Sequence, residues 1–207
     1  MQNTSHAVMA QRVEAADSPD DFPTPPWATR ALLKHVLSPD EDVSTMSCLE
    51  PACGAGHMAR VLSSKFRSVE ASDAYPYGYG KIRDFLDHPY ELNSVDWVIT
   101  NPPFRLAEEF ALRSLKVARR GVALLTRTVF LESSGRYNRL FKDDPPTKFA
   151  QFVERVPMVK GRLDGKATTA TGYAWLVWEQ TEISAPRVVW IPPCRRQLEE
   201  PGDYPVR

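Results

Sequence analysis

Apolar residues recur along the chain at two spacings that alternate. In residues 24–37, TPPWATRALLKHVL, two prolines precede Trp27, Ala31, Leu32, His35 and Val36 at helical spacing, which predicts a helix starting on its prolines. TMSCLE at 45–50 reads as a short apolar strand, and residues 57–66 place Met58, Val61, Leu62 and Phe66 on one side of a second helix. SVEAS at 68–72 and VDWVIT at 95–100 are two further strands, the latter followed by a helix over 106–118. GVALLTRTVF at 121–130 is a continuous apolar run, the pattern of a strand covered on both faces. Strands alternating with helices predict parallel βαβ units in an open α/β sheet. FVERVPMV at 152–159 and TGYAWLVWE at 171–179 are strand-like with no helix between them, so they are expected to form an antiparallel pair. One more strand is expected over 187–191.

Prolines supply the punctuation. Of 18, four lie between Pro19 and Pro26, and pairs fall at Pro102-Pro103, Pro145-Pro146 and Pro192-Pro193, where helix or strand should stop. No internal repeat or low-complexity tract interrupts the pattern. The expected division is a loose, polar N-terminus over 1–20, a single domain over 21–180, and a Pro-rich extension over 181–207.

Composition narrows the classes. The chain has 207 residues, 43% hydrophobic and 25% charged, which is ordinary globular composition and one domain by default. Cys48, Cys53 and Cys194 form neither an even framework nor a CxxC pair, and with four scattered histidines they leave no metal constellation. A reduced, cytoplasmic setting is expected. The apolar runs are strand-sized, and MQNTSHAVMAQRVEAAD lacks a basic region followed by an apolar one, so neither a membrane span nor a secretion signal is expected. Lys+Arg and Asp+Glu balance at 26 each, yet residues 1–104 hold 8 basic and 14 acidic side chains whereas 105–166 hold 14 and 7. Such asymmetry marks either a polyanion-facing surface or a plain solvated face.

Candidate chemistry concentrates where predicted strands end. In Leu49-Glu50-Pro51-Ala52-Cys53-Gly54-Ala55-Gly56-His57, Gly54 and Gly56 permit a sharp turn and close backbone approach to a ligand, at the strand end where open α/β sheets bind nucleotides. A GxG turn also occurs in purely structural loops, and Ala59 stands where a full dinucleotide fingerprint has Gly. Asp73 ends the next strand, near the spacing at which a carboxylate takes ribose hydroxyls, and Asp84 offers a further acceptor for an adenine amine. Both also read as solvated loop carboxylates. The most specific cluster is Thr100-Asn101-Pro102-Pro103-Phe104. Its prolines rigidify the turn, so the Asn101 oxygen and the Pro102 carbonyl are presented at fixed positions beside Phe104, which has no apolar sequence neighbour to hide it. Two acceptors beside a ring suit a planar amine, each oxygen taking one N–H while the ring stacks on its face.

LEPACGAGH, Asp73, DFL at 84–86 and NPPF at 101–104, in this order and spacing, resemble the S-adenosylmethionine-dependent methyltransferases of exocyclic amino groups, above all the DNA N6-adenine methyltransferases of bacteria and phage. Phe22-Pro23-Thr24-Pro25-Pro26 resembles the cofactor motif that precedes the glycine loop, and the motif order resembles the arrangement called gamma. The resemblance implies a Rossmann-like class I fold: a seven-stranded, mostly parallel sheet with an antiparallel strand pair at the C-terminal end and helices on both faces. It implies S-adenosyl-L-methionine as cofactor, no metal, and a base flipped from DNA as substrate, with RNA as the alternative acceptor. Thr24, Pro25, Glu50, Ala52, Cys53, Gly54, Gly56, Asp73, Ala74, Asp84 and Phe85 would hold the cofactor, and Asn101, Pro102, Pro103 and Phe104 would form the catalytic corner. Arg105, Arg136, Arg139, Lys142, Lys160, Arg162 and Lys166 are candidate phosphate contacts, and 131–171 holds the segments available for substrate recognition. The family's second base-covering aromatic has no obvious counterpart, so Met158, Phe152 or Tyr173 would serve. Enzymes that methylate glutamine in release factors share the Asn-Pro-Pro-aromatic motif but show Tyr at the Phe104 position, and a catalytically silent nucleic-acid-binding relative is the non-enzymatic alternative. The oligomeric state is open.

Overall fold

The computed structural model describes residues 20–37, 42–180 and 185–205. The helices are α1 (Pro26–His35), α2 (His57–Ser63), α3 (Ala107–Val117), α4 (Ser134–Arg136) and α5 (Arg195–Leu198). The strands are β1 (Ser47–Glu50), β2 (Ser68–Asp73), β3 (Lys81–Ile82), β4 (Val95–Thr100), β5 (Ala118–Arg127), β6 (Lys148–Phe152), β7 (Tyr173–Glu179) and β8 (Arg187–Ile191). They form one sheet in the order β3-β2-β1-β4-β5-β7-β6-β8. Only β7 runs against its neighbours, pairing antiparallel with both β5 and β6, while β8 pairs parallel with β6.

Strand alternation sorts the apolar side chains onto two faces. Trp97 and Ile99, Ala123 and Leu125, and Trp175 and Val177 pack with Trp27, Leu32, Met58 and Leu62 from α1 and α2. Val98, Val122 and Leu124, and Leu176 and Trp178 pack with Ala107, Phe110 and Ala111 of α3 and with Phe130 and Leu140 beyond β5. Close packing of β4 against β5 depends on Gly121. A Cβ there would lie 2.5 Å from the Trp97 ring.

Two expectations are corrected. The sheet has eight strands rather than seven: the two-residue β3 at one margin was not foreseen, whereas β8 at the other lies where a strand over 187–191 is expected. The first strand of the C-terminal pair is Lys148–Phe152 rather than 152–159, so part of 131–171, where recognition segments are expected, is sheet. Beyond it, 153–172 is loop apart from an isolated bridge between Val159 and Arg162. The strand was hidden because it begins on a lysine. Lys148 is buried, its Nζ donating to Glu179 Oε1 at 2.6 Å and to the Val36 carbonyl at 3.0 Å at the end of α1.

At the outer margin, β8 exposes Val188 and Trp190, whereas Trp27, Trp97, Trp175 and Trp178 are buried. The C-terminal segment returns to α1, where Arg30 grips the Asp203 carboxylate with two hydrogen bonds of 2.8 and 2.9 Å. The expected loose N-terminus falls, Asp20 apart, outside the described residues. Among the described residues no helix is long and apolar enough to cross a membrane, and no group of three or more His, Cys, Asp or Glu side chains is placed to hold a metal.

Candidate active site

Because β1, β2, β4 and β5 are parallel, their C-terminal ends open on one edge of the sheet, and antiparallel β7 delivers its N-terminal Tyr173 to that same edge. Strand order reverses between β1 and β4, the position at which open α/β sheets leave a crevice. A cavity of about 280 Å3 lies there. Its walls include Thr24, Glu50, Ala52, Cys53, Gly54, Asp73, Asn101, Pro103 and Arg105 from the sequence reading, together with Asp20, Asp21, Tyr75 and Tyr77, to which it gave no role.

The glycine turn is held from inside. Gly54 adopts φ +49°, and its N–H donates to Asp73 Oδ2 at 2.9 Å, while the other Asp73 oxygen accepts from Tyr75 N–H at 3.0 Å. Burial nevertheless lifts the Asp73 carboxyl above the ordinary carboxylate range, these backbone donors opposing the shift. Gly56 is structural in a different way. At φ +80° it begins α2, and a Cβ would lie 2.3 Å from the Tyr79 ring, so it supports the loop without lining the cavity. Cys53 is buried, and burial with the nearby Glu50 and Asp73 charges pushes its thiol up to about 12, leaving it unreactive as a nucleophile.

Three polar atoms in this wall lack an internal partner. Glu50 is 2% exposed with Oε2 unpaired, Thr24 is 4% exposed with Oγ1 unpaired, and the Asn101 Oδ1 is likewise buried and unpaired. Glu50 is driven well above the usual carboxylate range by burial first and Asp73 second, with an N–H of Ala59 opposing. Three such atoms share one cavity wall, where they offer hydrogen-bonding capacity to a bound molecule.

Asn101 is oriented by its nitrogen. Nδ2 donates to the Phe22 carbonyl at 2.8 Å and approaches Met158 Sδ at 3.8 Å, which leaves Oδ1 as the free end of the amide. Phe104 is half-buried rather than open. Its ring lies 5.2 Å from that of Phe22 and 6.3 Å from that of Tyr173, and the Arg127 guanidinium carbon sits 4.5 Å above it. Its N–H donates to Asp20 Oδ2 at 2.6 Å. Packing across the crevice supplied the apolar neighbours that the local sequence lacked. Of the candidates for covering a base, Met158 and Tyr173 lie beside this corner, whereas Phe152 packs edge-on against Trp27.

Other expected residues fall outside the cavity wall. Pro25 precedes α1, and Pro102 is buried behind the corner. Ala74 contributes an N–H to Asp73. Asp84 is exposed and caps its own turn through the Leu86 N–H at 2.8 Å, while Phe85 is buried 5.0 Å from the Phe110 ring. Among the expected phosphate contacts, Arg139 is committed to Glu108 through bonds of 2.5 and 2.9 Å. Arg136 lies 3.8 Å from the same carboxylate and stacks on Phe130. Arg162 pairs with Asp164 at 3.4 Å; Arg105, Lys142 and Lys166 are exposed, and Lys160 is half-buried. Arg127 has an exposed side chain at the corner itself and was missed because it ends an apolar strand.

No model of a known protein family matches the sequence, and no curated protein matches it. Solved structures do match. The chain superposes on a Listeria monocytogenes protein assigned to the class I S-adenosylmethionine-dependent methyltransferases with TM-score 0.55 and 12% identity, over 80% of this chain and 62% of the other. The fold is that of the class I methyltransferases. A Vibrio vulnificus protein described as a modification subunit of a type I restriction enzyme gives TM-score 0.55 and 15% identity over 86% of this chain and 48% of the other. A Pyrococcus horikoshii protein described as an RNA methyltransferase gives 0.51 and 14% over 74% and 81%. The chain thus spans about half to two thirds of the first two structures. Within the class I fold its crevice, glycine turn and Asp73 occupy the switch point between β1 and β4.

Proposed function

We propose that the chain transfers a methyl group from S-adenosylmethionine to the exocyclic N6 amine of adenine in DNA, taking the base flipped out of its stack. The observation that carries this reading is the Asn101 amide, whose nitrogen is tied to Phe22 and whose buried oxygen is unpaired on the cavity. A lone acceptor fixed beside an aromatic ring fits an amine donor on a planar heterocycle.

The residues present fit the cofactor. The unpaired oxygens of Glu50 and Thr24 suit the ammonium and carboxylate of an amino acid, the tight turn at Gly54 admits close backbone approach, and Asp73 stands at the strand end where ribose hydroxyls bind. Tyr75 and Tyr77, on the wall, are better placed to flank the cofactor adenine than Asp84 and Phe85, which are not. The cofactor supplies an electrophilic methyl on a sulfonium centre.

The amine of adenine is a weak nucleophile because its lone pair is delocalised into the ring. Asn101 Oδ1 would accept one of its N–H groups and favour a pyramidal nitrogen with its lone pair free. That hydrogen bond strengthens as positive charge develops on nitrogen, so it stabilises the transition state more than the ground state. The proton then leaves to solvent. Phe104 would stack on one face of the base, the Arg127 guanidinium 4.5 Å above its ring moving aside to admit it, and so offset part of an unstacking cost of a few kcal/mol.

DNA is preferred on the resemblance and on the restriction-modification neighbour; RNA is the second reading, favoured by the Pyrococcus neighbour. Incubation with methyl-labelled cofactor and mixed DNA, RNA and protein acceptors, followed by nucleoside analysis, should yield N6-methyladenine in the DNA fraction. Label confined to RNA would move the assignment to that acceptor, and label only in protein would overturn it.

A further inference from the structure

The cavity is more acidic than the proposed reaction requires. Asp20, Asp21, Glu50 and Asp73 all line it, against the guanidinium of Arg105 and the imidazole of His57. Glu50 and Asp73 have parts in the reading above; the two aspartates ahead of Phe22 have none.

Residues 20–22 are fixed across the crevice by three hydrogen bonds. Phe104 N–H donates to Asp20 Oδ2 at 2.6 Å, Asn101 Nδ2 to the Phe22 carbonyl at 2.8 Å, and Gly161 N–H to the Asp21 carbonyl at 2.8 Å. Two of them tie the strap to the catalytic corner. Between those ties, the Asp21 side chain turns toward the glycine loop, its Oδ1 3.7 Å from where a Cβ on Gly54 would stand. A ligand spanning from the glycine turn to Asn101 therefore passes Asp21.

Half-burial and the neighbouring Asp73 hold the Asp21 carboxyl above its ordinary range, with Lys160 opposing. A carboxylate kept beside a second one and stripped of part of its water is an anion that a cation would stabilise.

We propose that Asp21 is a specificity-determining residue for charge, making the cavity bind a sulfonium-bearing methyl donor in preference to its neutral thioether product. This rests on the reading of the cavity as the S-adenosylmethionine site. The donor carries one more positive charge than S-adenosylhomocysteine. When the methyl moves to nitrogen and the amine gives a proton to solvent, sulfur becomes neutral, so the attraction that helped the donor enter no longer retains the product.

Calorimetric titration of the full chain with three ligands tests this: S-adenosylmethionine, S-adenosylhomocysteine, and the analogue sinefungin, which carries an ammonium in place of the sulfonium. The two cationic ligands should bind about tenfold more tightly than the thioether, the scale of one partly screened charge interaction. Asp21→Asn should remove most of that preference by weakening the cationic pair while leaving the thioether nearly unchanged, and Asp21→Glu should keep it. Wild-type protein that binds the thioether as tightly as the donor overturns the proposal, as does an Asp21→Asn variant that weakens all three alike. If Asp21→Asn binds nothing, Asp21→Glu decides, and loss of the charge order there overturns it. Failure of all three ligands to bind the wild type would instead overturn the cofactor reading, whereas binding without a charge order sinks only the role of Asp21.

Discussion

Asn101 is held by one end of its amide and unpaired at the other, and on the proposed reading this asymmetry separates chemistry from cofactor binding at a single residue. Asn101→Ala should lower methyl transfer by about 10²- to 10³-fold, the range for removing one oriented hydrogen-bonding group at a reacting centre. Cofactor affinity should change less than about threefold; parallel loss in rate assays and equilibrium titrations would make the residue a scaffold for the Phe22 strap. The corner and the glycine turn were legible in the sequence because their chemistry lies in contiguous stretches, where proline and glycine fix the backbone locally. Asp20, Asp21 and Tyr77 were not, because residues far apart in sequence meet on this wall only through tertiary packing. Asp84 and Phe85 mark the opposite case. They match a motif by type and spacing, but the turn after β3 spends the carboxylate on Leu86 N–H and sends the ring into the core.

Among elements, β6 shows how a buried charge defeats pattern reading. Its alternation of Lys148, Ala150 and Phe152 toward one face is that of an ordinary strand, yet a leading lysine after two prolines reads as loop. Glu179 on β7 and the carbonyl end of α1 neutralise Lys148, so three elements meet at one ammonium. Lys148→Met should destabilise the fold by about 3–5 kcal/mol, because it removes the ammonium that balances the buried Glu179 carboxylate. The double change Lys148→Met with Glu179→Leu should recover much of the loss in urea denaturation; equal loss in both would show that packing, not charge, sets the cost. The alternating βα units before β6 needed no such subtlety. Apart from the short, exposed β3, their apolar periods match the observed strands and helices because each buries its residues by a regular spacing.

The molecule as a whole is electrically neutral, but its crevice is acidic and its basic excess lies in the middle third of the sequence. Folding spends part of that excess internally. Arg139 closes a two-pronged pair with Glu108, whereas Lys142 and Lys166 stand in solvent. On the nucleic-acid reading, replacing either lysine by glutamine should lower the slope of log affinity against log salt by about one unit. Arg139→Gln should leave the slope unchanged. Filter-binding or anisotropy titrations across a salt series check both, and an unchanged slope in the lysine variants would move the polyanion surface elsewhere. Charge segregation along the sequence was legible, but which cations remain available was decided by pairing in space.

The outward position of Trp190 on β8, opposite four sealed indoles, gives this protein a built-in optical division. A collisional quencher such as acrylamide should reach essentially that one emitter, so the accessible fraction of fluorescence monitors the far margin of the sheet while the protected fraction monitors the interior. Contact by another macromolecule at that margin would shield the first signal and leave the second untouched.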